Sequence, residues 1–292
     1  MNKKLAVVVC GWHFSDYFYK QMTEQIIPKG WEVEYFCVAH RDPKHAIGEK
    51  NIDKNSKNLL SQLDYFYYKN IATISSMESY GWKYILKPNT LGDWGVYNQW
   101  IEDYNYKDYD MFLLTGDDNF FINEHLFTSV LGGELEEVVS NNKINGVHTT
   151  KNIKYNYDDW LVLSNGVHRG RGAIRGSLEF IKREMLDIIG GKFDFSTCNS
   201  ELRKGLKDSP KDYMDLDNWN NQVFPFLETI REKNLYSKIH FLSSMYRASS
   251  FCIEGERGYF SNNNCAPYAG YYSTMVNELN ERKLLNKFLT NE

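Results

Sequence analysis

Proline is scarce, at 6 in 292 residues, and no segment is of low complexity. Nothing therefore marks a Pro- or Ser-rich linker or a disordered tail, and no internal repeat is visible. The five cysteines, Cys10, Cys37, Cys198, Cys252 and Cys265, are odd in number, scattered and without a C-x-x-C pair. That pattern excludes a disulfide framework and a zinc site of ordinary spacing. No apolar run reaches the ~20 residues of a membrane span, and no signal peptide precedes Leu5. The expectation is a cytoplasmic, reducing setting, with peripheral membrane association left open. Basic excess is also missing. The net charge is −4, which weighs against a protein that coats nucleic acid.

What is present is apolar and aromatic. Hydrophobic residues make up 42% of the chain and aromatics 15%, enough to build a sizeable core. Leu5-Ala-Val-Val-Val-Cys10 is a continuous apolar run, as in a parallel strand covered on both faces. Gly11-Trp-His-Phe14 follows as a loop, then a helix capped by Ser15 or Asp16 with Phe18, Met22 and Ile26 on its apolar face. Residues 31–39 read as a second strand, left through His40-Arg-Asp-Pro43. Strand, helix, strand is a βαβ unit. It lacks the G-x-G-x-x-G turn, so a nicotinamide or flavin enzyme is disfavoured.

Further elements alternate. A helix is expected over 58–68, a strand over 84–86, a helix around 96–104, a helix over 124–140 broken near Gly132-Gly133, and a strand over 146–150. The alternation predicts a mostly parallel sheet flanked by helices. Later in the chain, 177–189 reads as an amphipathic helix stopped by Gly190-Gly191. Asp215-Leu-Asp-Asn-Trp219 opens another helix, 238–242 is a strand and 272–289 a terminal helix.

Chemistry concentrates in Met111-Phe-Leu-Leu-Thr-Gly-Asp-Asp-Asn-Phe-Phe121. Four apolar residues form a short buried strand, a Thr-Gly turn ends it, and Asp117, Asp118 and Asn119 follow. In open α/β sheets, ligands sit outside the carboxyl ends of the strands. A hard divalent cation takes oxygen ligands and shares them with substrate phosphates. A plain turn uses the same residue types, so the spacing leaves both readings open.

The order of elements resembles the GT-A fold of nucleotide-sugar glycosyltransferases, in particular the inverting family 2. Thr115-Gly-Asp-Asp-Asn resembles a variant of that family's D-x-D motif, and Gly92-Asp-Trp-Gly-Val-Tyr-Asn98 resembles its glycine-to-asparagine helix start. The resemblance spans residues 5–245. It departs in strand one, which ends in Cys-Gly-Trp-His. It implies an α/β, Rossmann-like, mostly parallel sheet in a single compact domain over 1–292, with a donor half at 1–150 and an acceptor half with a C-terminal helix at 151–292.

The implied activity is metal-dependent transfer of a sugar from a nucleoside-diphosphate sugar to an acceptor hydroxyl, with inversion. By resemblance, Asp118 would bind Mn²⁺ or Mg²⁺, with Asp117 on the ribose or metal shell and Asn119 beside them. Trp12, His13 and Asp42 would lie at the nucleoside, with Asn89 and Asp93 also on the nucleotide. Arg169 and Arg171 would clamp the phosphates. Asp217, with Asp215 second, would be the general base. The expected acceptor is a glycan or lipid-linked glycan, a modified DNA base being the lesser expectation. Two other classes share such a sheet: a sugar nucleotidyltransferase, which should carry a glycine-rich basic loop after strand one, and an inactive sugar- or protein-binding module.

Overall fold

The computed structural model describes residues 2–46, 70–88, 92–117, 119–120, 124, 126–132, 134–142, 147–154, 156–164, 167–168, 173–174, 178–193, 229, 232–241 and 248–249. The helices expected over 58–68 and 272–289, and the one opened by Asp215, lie outside them.

The first unit is β1 (Lys3–Gly11), α1 (Asp16–Thr23) and β2 (Trp31–Ala39), as read except that the helix ends before Ile26, which is exposed instead of lying on its apolar face. It continues with α2 (Ile74–Ser79), β3 (Trp82–Leu86), α3 (Gly92–Trp100) and β4 (Met111–Gly116). β1 pairs in parallel with β2 on one side and β4 on the other. Its apolar run is continuous because the sheet is covered twice. Leu5, Val7 and Val9 pack with Phe18, Tyr19 and Met22 of α1 and Met77 of α2. Ala6, Val8 and Cys10 pack with Val96, Tyr97 and Trp100 of α3. Each buried Val or Leu contributes roughly 1.5–3 kcal/mol, more than the ~1 kcal/mol span of intrinsic strand preference. Two-sided burial therefore decides where the strand begins and ends.

After β4 the chain forms β5 (Asn119–Phe120), α4 (Leu126–Gly132), β6 (Glu134–Asn142), β7 (Val147–Lys154), β8 (Val162–Ser164), β9 (Val167–His168), β10 (Ala173–Ile174), β11 (Leu178–Lys182), α5 (Arg183–Ile188), β12 (Ile239–Phe241) and β13 (Ala248–Ser249). The main sheet has the order β12-β8-β11-β4-β1-β2-β3. All its strands run one way except β11, which is antiparallel to both β4 and β8. The fold is thus α/β, a mostly parallel sheet with helices against both faces.

Three further expectations change. The helix over 124–140 stops at Gly132, and the rest is β6. The strand over 146–150 extends to β7 and pairs with β6 in an antiparallel ribbon outside the main sheet. The double glycine breaks the helix, and Val138-Val139 favours the extended form that β7 can pair. Residues 177–189 are not one helix. Leu178–Lys182 is a strand whose five residues are all buried, and only Arg183–Ile188 is helical. A strand flanked by β4 and β8 and covered on both faces needs no alternation, so its apolar pattern passes for a helix face. The glycine stop is as read, with Gly190 and Gly191 at φ 81° and 85°.

Candidate functional site

Strand order sets the location. From β1 the chain steps outward to β2 and β3, then returns to the other side of β1 as β4. Between β1 and β4 the direction of winding reverses, and open α/β sheets place their ligand crevice outside the carboxyl ends of such strands. Two segments meet there, the loop after Gly11 and the residues after Gly116.

Asp117 joins them. It is 1% exposed. The backbone N–H of Trp12 donates to both its carboxylate oxygens at 3.1 Å. The His13 N–H donates to them at 3.0 and 3.1 Å. The Phe14 N–H donates to Oδ2 at 2.7 Å, and the Tyr19 hydroxyl donates to the same oxygen at 2.9 Å. Burial, then the charge of Asp117, push the Tyr19 hydroxyl well above the ordinary phenol value, so it stays a donor. Tyr19 Oη also lies 3.2 Å from Cys37 Sγ. Burial pushes that thiol up too, which keeps Cys37 an unreactive SH.

The loop around this carboxylate is tightly held. Phe14 has φ 58°, a left-handed conformation that costs a non-glycine residue roughly 1–2 kcal/mol. It persists because Ala72 N–H donates to Phe14 O at 2.7 Å and Asp16 N–H to Asn70 O at 3.0 Å. Gly11 is required for a different reason. A Cβ there would lie 2.6 Å from Cys37 Sγ and 3.2 Å from Ala39 Cα.

The outer side of the loop carries Trp12, partly exposed. The Arg41 guanidinium stacks over its ring, 4.3 Å from the centroid, and Arg41 Nε donates to Trp12 O at 2.6 Å. The Tyr84 hydroxyl reaches Arg41 O at 3.4 Å, with its own pKa pushed up to about 12, chiefly by burial. Asp42 caps the short turn Pro43–His45, accepting from Lys44 N–H at 2.9 Å and pairing with Lys44 Nζ at 3.1 Å. The Lys44 backbone bond is the largest cause holding the Asp42 carboxyl below its usual value.

The expected residues thus separate. Trp12, His13 and Asp117 are brought together, and of the first two Trp12 is partly exposed while His13 is 9% exposed. Asp42 is near Arg41 in sequence but bonded to its own turn. Asp117 needs correction: expected on the ribose or in the metal shell, it faces inward and accepts from three backbone N–H groups and a phenol. Its lone pairs point at protons, and a cation there would displace those donors, so Asp117 does not fit a metal ligand. Among the described residues, no group of three or more His, Cys, Asp or Glu could hold a metal ion. Asp93 falls in the first turn of α3, and Asn119 pairs by backbone with Ser249 in β5–β13. Asn89, Asp118, Arg169, Arg171, Asp215 and Asp217 lie outside the described residues.

Sequence reading missed Tyr19 and Arg41. Tyr19 sits next to Phe18 on the buried face of α1 and reads as core, and nothing in its spacing marks the hydroxyl as a ligand of Asp117. Arg41 adjoins Asp42, which drew attention instead. It also missed Glu179. On a helix this residue would be solvated, whereas on β11 it is fully buried beside Leu114 and Ser164.

No family model matches the sequence, and no curated protein matches it. Solved structures that resemble the chain include glycosyltransferases. TarS 1-349 of S. aureus is 12% identical, with 85% of this chain and 60% of that one covered, at TM-score 0.37. The glycosyltransferase GlyE of Streptococcus pneumoniae TIGR4 is 9% identical, with 84% and 46% covered, at TM-score 0.35. The galactosyltransferase LgtC, solved with donor and acceptor sugar analogues, is 10% identical, with 82% and 73% covered, at TM-score 0.33. The chain spans less than two thirds of the length of the first two. TM-scores below 0.5 are too low to transfer an activity from these proteins to this chain.

Proposed function

We propose that this protein transfers a sugar from a nucleoside-diphosphate sugar to an acceptor hydroxyl. The observation that supports this most is the reversal of winding between β1 and β4, where the loop that carries the Trp12–Arg41 stack is bonded to Asp117. A flat, partly exposed indole backed by a cation offers a surface for a nucleobase, and the guanidinium offers N–H donors to anionic oxygens. Arg169 and Arg171 are the further candidates for the diphosphate.

Asp118 is the carboxylate of the pair left to hold Mn²⁺ or Mg²⁺, since Asp117 is turned away. When bound, such an ion offsets the negative charge that grows on the leaving diphosphate. The chain's own part is to orient the donor and to accept the acceptor hydroxyl's proton at a carboxylate oxygen, with Asp217 proposed for this and Asp215 second. One-step displacement at the anomeric carbon then inverts configuration. A glycan or lipid-linked glycan is the proposed acceptor, and the cytoplasm the proposed setting. Among the described residues, no helix is long and apolar enough to cross a membrane.

One observation favours a second reading. With Asp117 engaged by the β1 loop, the acidic motif offers one carboxylate fewer for metal, as a non-catalytic sugar-binding module would tolerate. A thermal-shift screen of UDP-, GDP-, dTDP- and CMP-sugars with and without Mn²⁺, followed by turnover of any hit, separates the two. Binding to the native state raises the melting temperature by mass action. Turnover abolished by Asp118→Asn is expected. Stabilisation without turnover supports the module, and no stabilisation by any nucleotide sugar removes both readings.

A further inference from the structure

We infer that Asp117 is a positioning residue for the donor site: an internal carboxylate that occupies the anion seat of the β1 loop and so fixes the Trp12–Arg41 stack. The kinetic part of this inference rests on the glycosyl-transfer reading above, and the structural part does not.

Consecutive backbone N–H groups turned to one side form a concave seat for an anion, and loops of this kind after a first strand commonly hold a ligand's phosphate. Here the N–H groups of Trp12, His13 and Phe14 converge in that manner, but the anion is the chain's own Asp117. A donor phosphate cannot share those protons. The diphosphate must therefore lie on the outer side of the loop, and this loop contributes side chains to the donor instead of backbone donors.

The same bonds determine where those side chains stand. Trp12 donates its N–H inward to Asp117, while its carbonyl accepts from Arg41 Nε and its ring lies under the guanidinium. Phe14, held in the left-handed region, turns the chain into α1, from which Tyr19 returns its hydroxyl to the same carboxylate. Asp117 thus ties the ends of β1 and β4 to the start of α1. Loss of the charge would free three amides at once and loosen the platform without touching a metal.

Three measurements on the full chain decide this: amide hydrogen exchange at residues 12–14, the KM for the nucleotide sugar, and the Mn²⁺ concentration for half-maximal rate. Asp117→Asn keeps the size but weakens the acceptor. It should speed exchange at Trp12, His13 and Phe14 by roughly tenfold or more, as loss of a charge-assisted bond implies. The KM should rise by roughly tenfold with a smaller change in kcat, and the Mn²⁺ midpoint should stay within about twofold. Asp118→Asn should abolish turnover while leaving the three amides protected. Tyr19→Phe removes one donor, leaves the acid in place, and should give the same pattern on a smaller scale, which covers the case in which Asp117→Asn does not fold. Unchanged amide exchange in both Asp117→Asn and Tyr19→Phe overturns the inference, as does an Mn²⁺ midpoint that Asp117→Asn raises by roughly tenfold or more, the loss expected of a residue that holds the metal. If wild type turns over no nucleotide sugar, the glycosyl-transfer reading fails, and the exchange data still judge the anchor.

Discussion

Two aspartates follow the two strands that flank β1 in the same sheet, and they do opposite things. Asp117, just past β4, is 1% exposed and gathers donors from residues more than ninety positions away. Asp42, just past β2, faces solvent and bonds to Lys44, two residues on. Residue type is the same, and both lie within three positions of a strand end. What differs is the side of β1 to which its exit loop turns its N–H groups. The β1 exit loop turns three N–H groups toward Asp117 at the end of β4, whereas the donors that Asp42 meets are those of Lys44 in its own turn. A buried donor without a partner costs 1–3 kcal/mol, and an exposed one finds water. The same side chain is therefore structural in one place and dispensable to the fold in the other.

The contrast breaks most visibly at Asp117. Replacing it by alanine leaves the loop amides and Tyr19 without their acceptor and should destabilise by roughly 3–5 kcal/mol, the cost of removing one partner from a buried charged network. Urea unfolding measures it, and a loss below 1 kcal/mol would place the loop amides elsewhere. Next comes Gly11→Ala, where the new methyl meets Cys37 Sγ and the Ala39 backbone. The expected loss is about 3 kcal/mol. Adding Cys37→Ala should recover part of it, and a double variant no better than the single one would shift the blame to the backbone at Ala39. Tyr19→Phe deletes a single bond to a charged acceptor and should cost about 1.5–3 kcal/mol, read in the same denaturant series.

The smallest effect belongs to Asp42. Its folded-state pKa is lowered, so its contribution is present above the unfolded carboxylate value of roughly 4 and is lost as pH falls through the lower folded value. Asp42→Asn should leave the melting temperature at pH 7 nearly unchanged and flatten its decline on acidification. A loss at pH 7 as large as that of Tyr19→Phe would contradict the contrast drawn here.

The β1–α1–β2 unit was legible in the sequence because each piece carries its own local signal. An unbroken apolar run, an amphipathic turn of helix and a second apolar run leave few alternatives. β11 was not. Leu178-Glu-Phe-Ile-Lys182 carries apolar residues at spacings that suit a helix, and only two flanking strands and two covering layers make it extended. The ribbon of β6 and β7 was half legible, since the glycine pair announced a break but the pairing partner is a separate stretch later in the chain.

The candidate site divides along the same line. Composition and pattern alone determined an α/β chain and a pair of aspartates at the end of a buried strand. The tertiary structure alone decided that the first of that pair faces inward. Hydrophobic periodicity is a property of a few neighbouring residues and survives in the bare sequence. The work of a carboxylate depends on which donors the fold brings to it, and here those donors come from a loop and a helix about a hundred residues earlier in the chain.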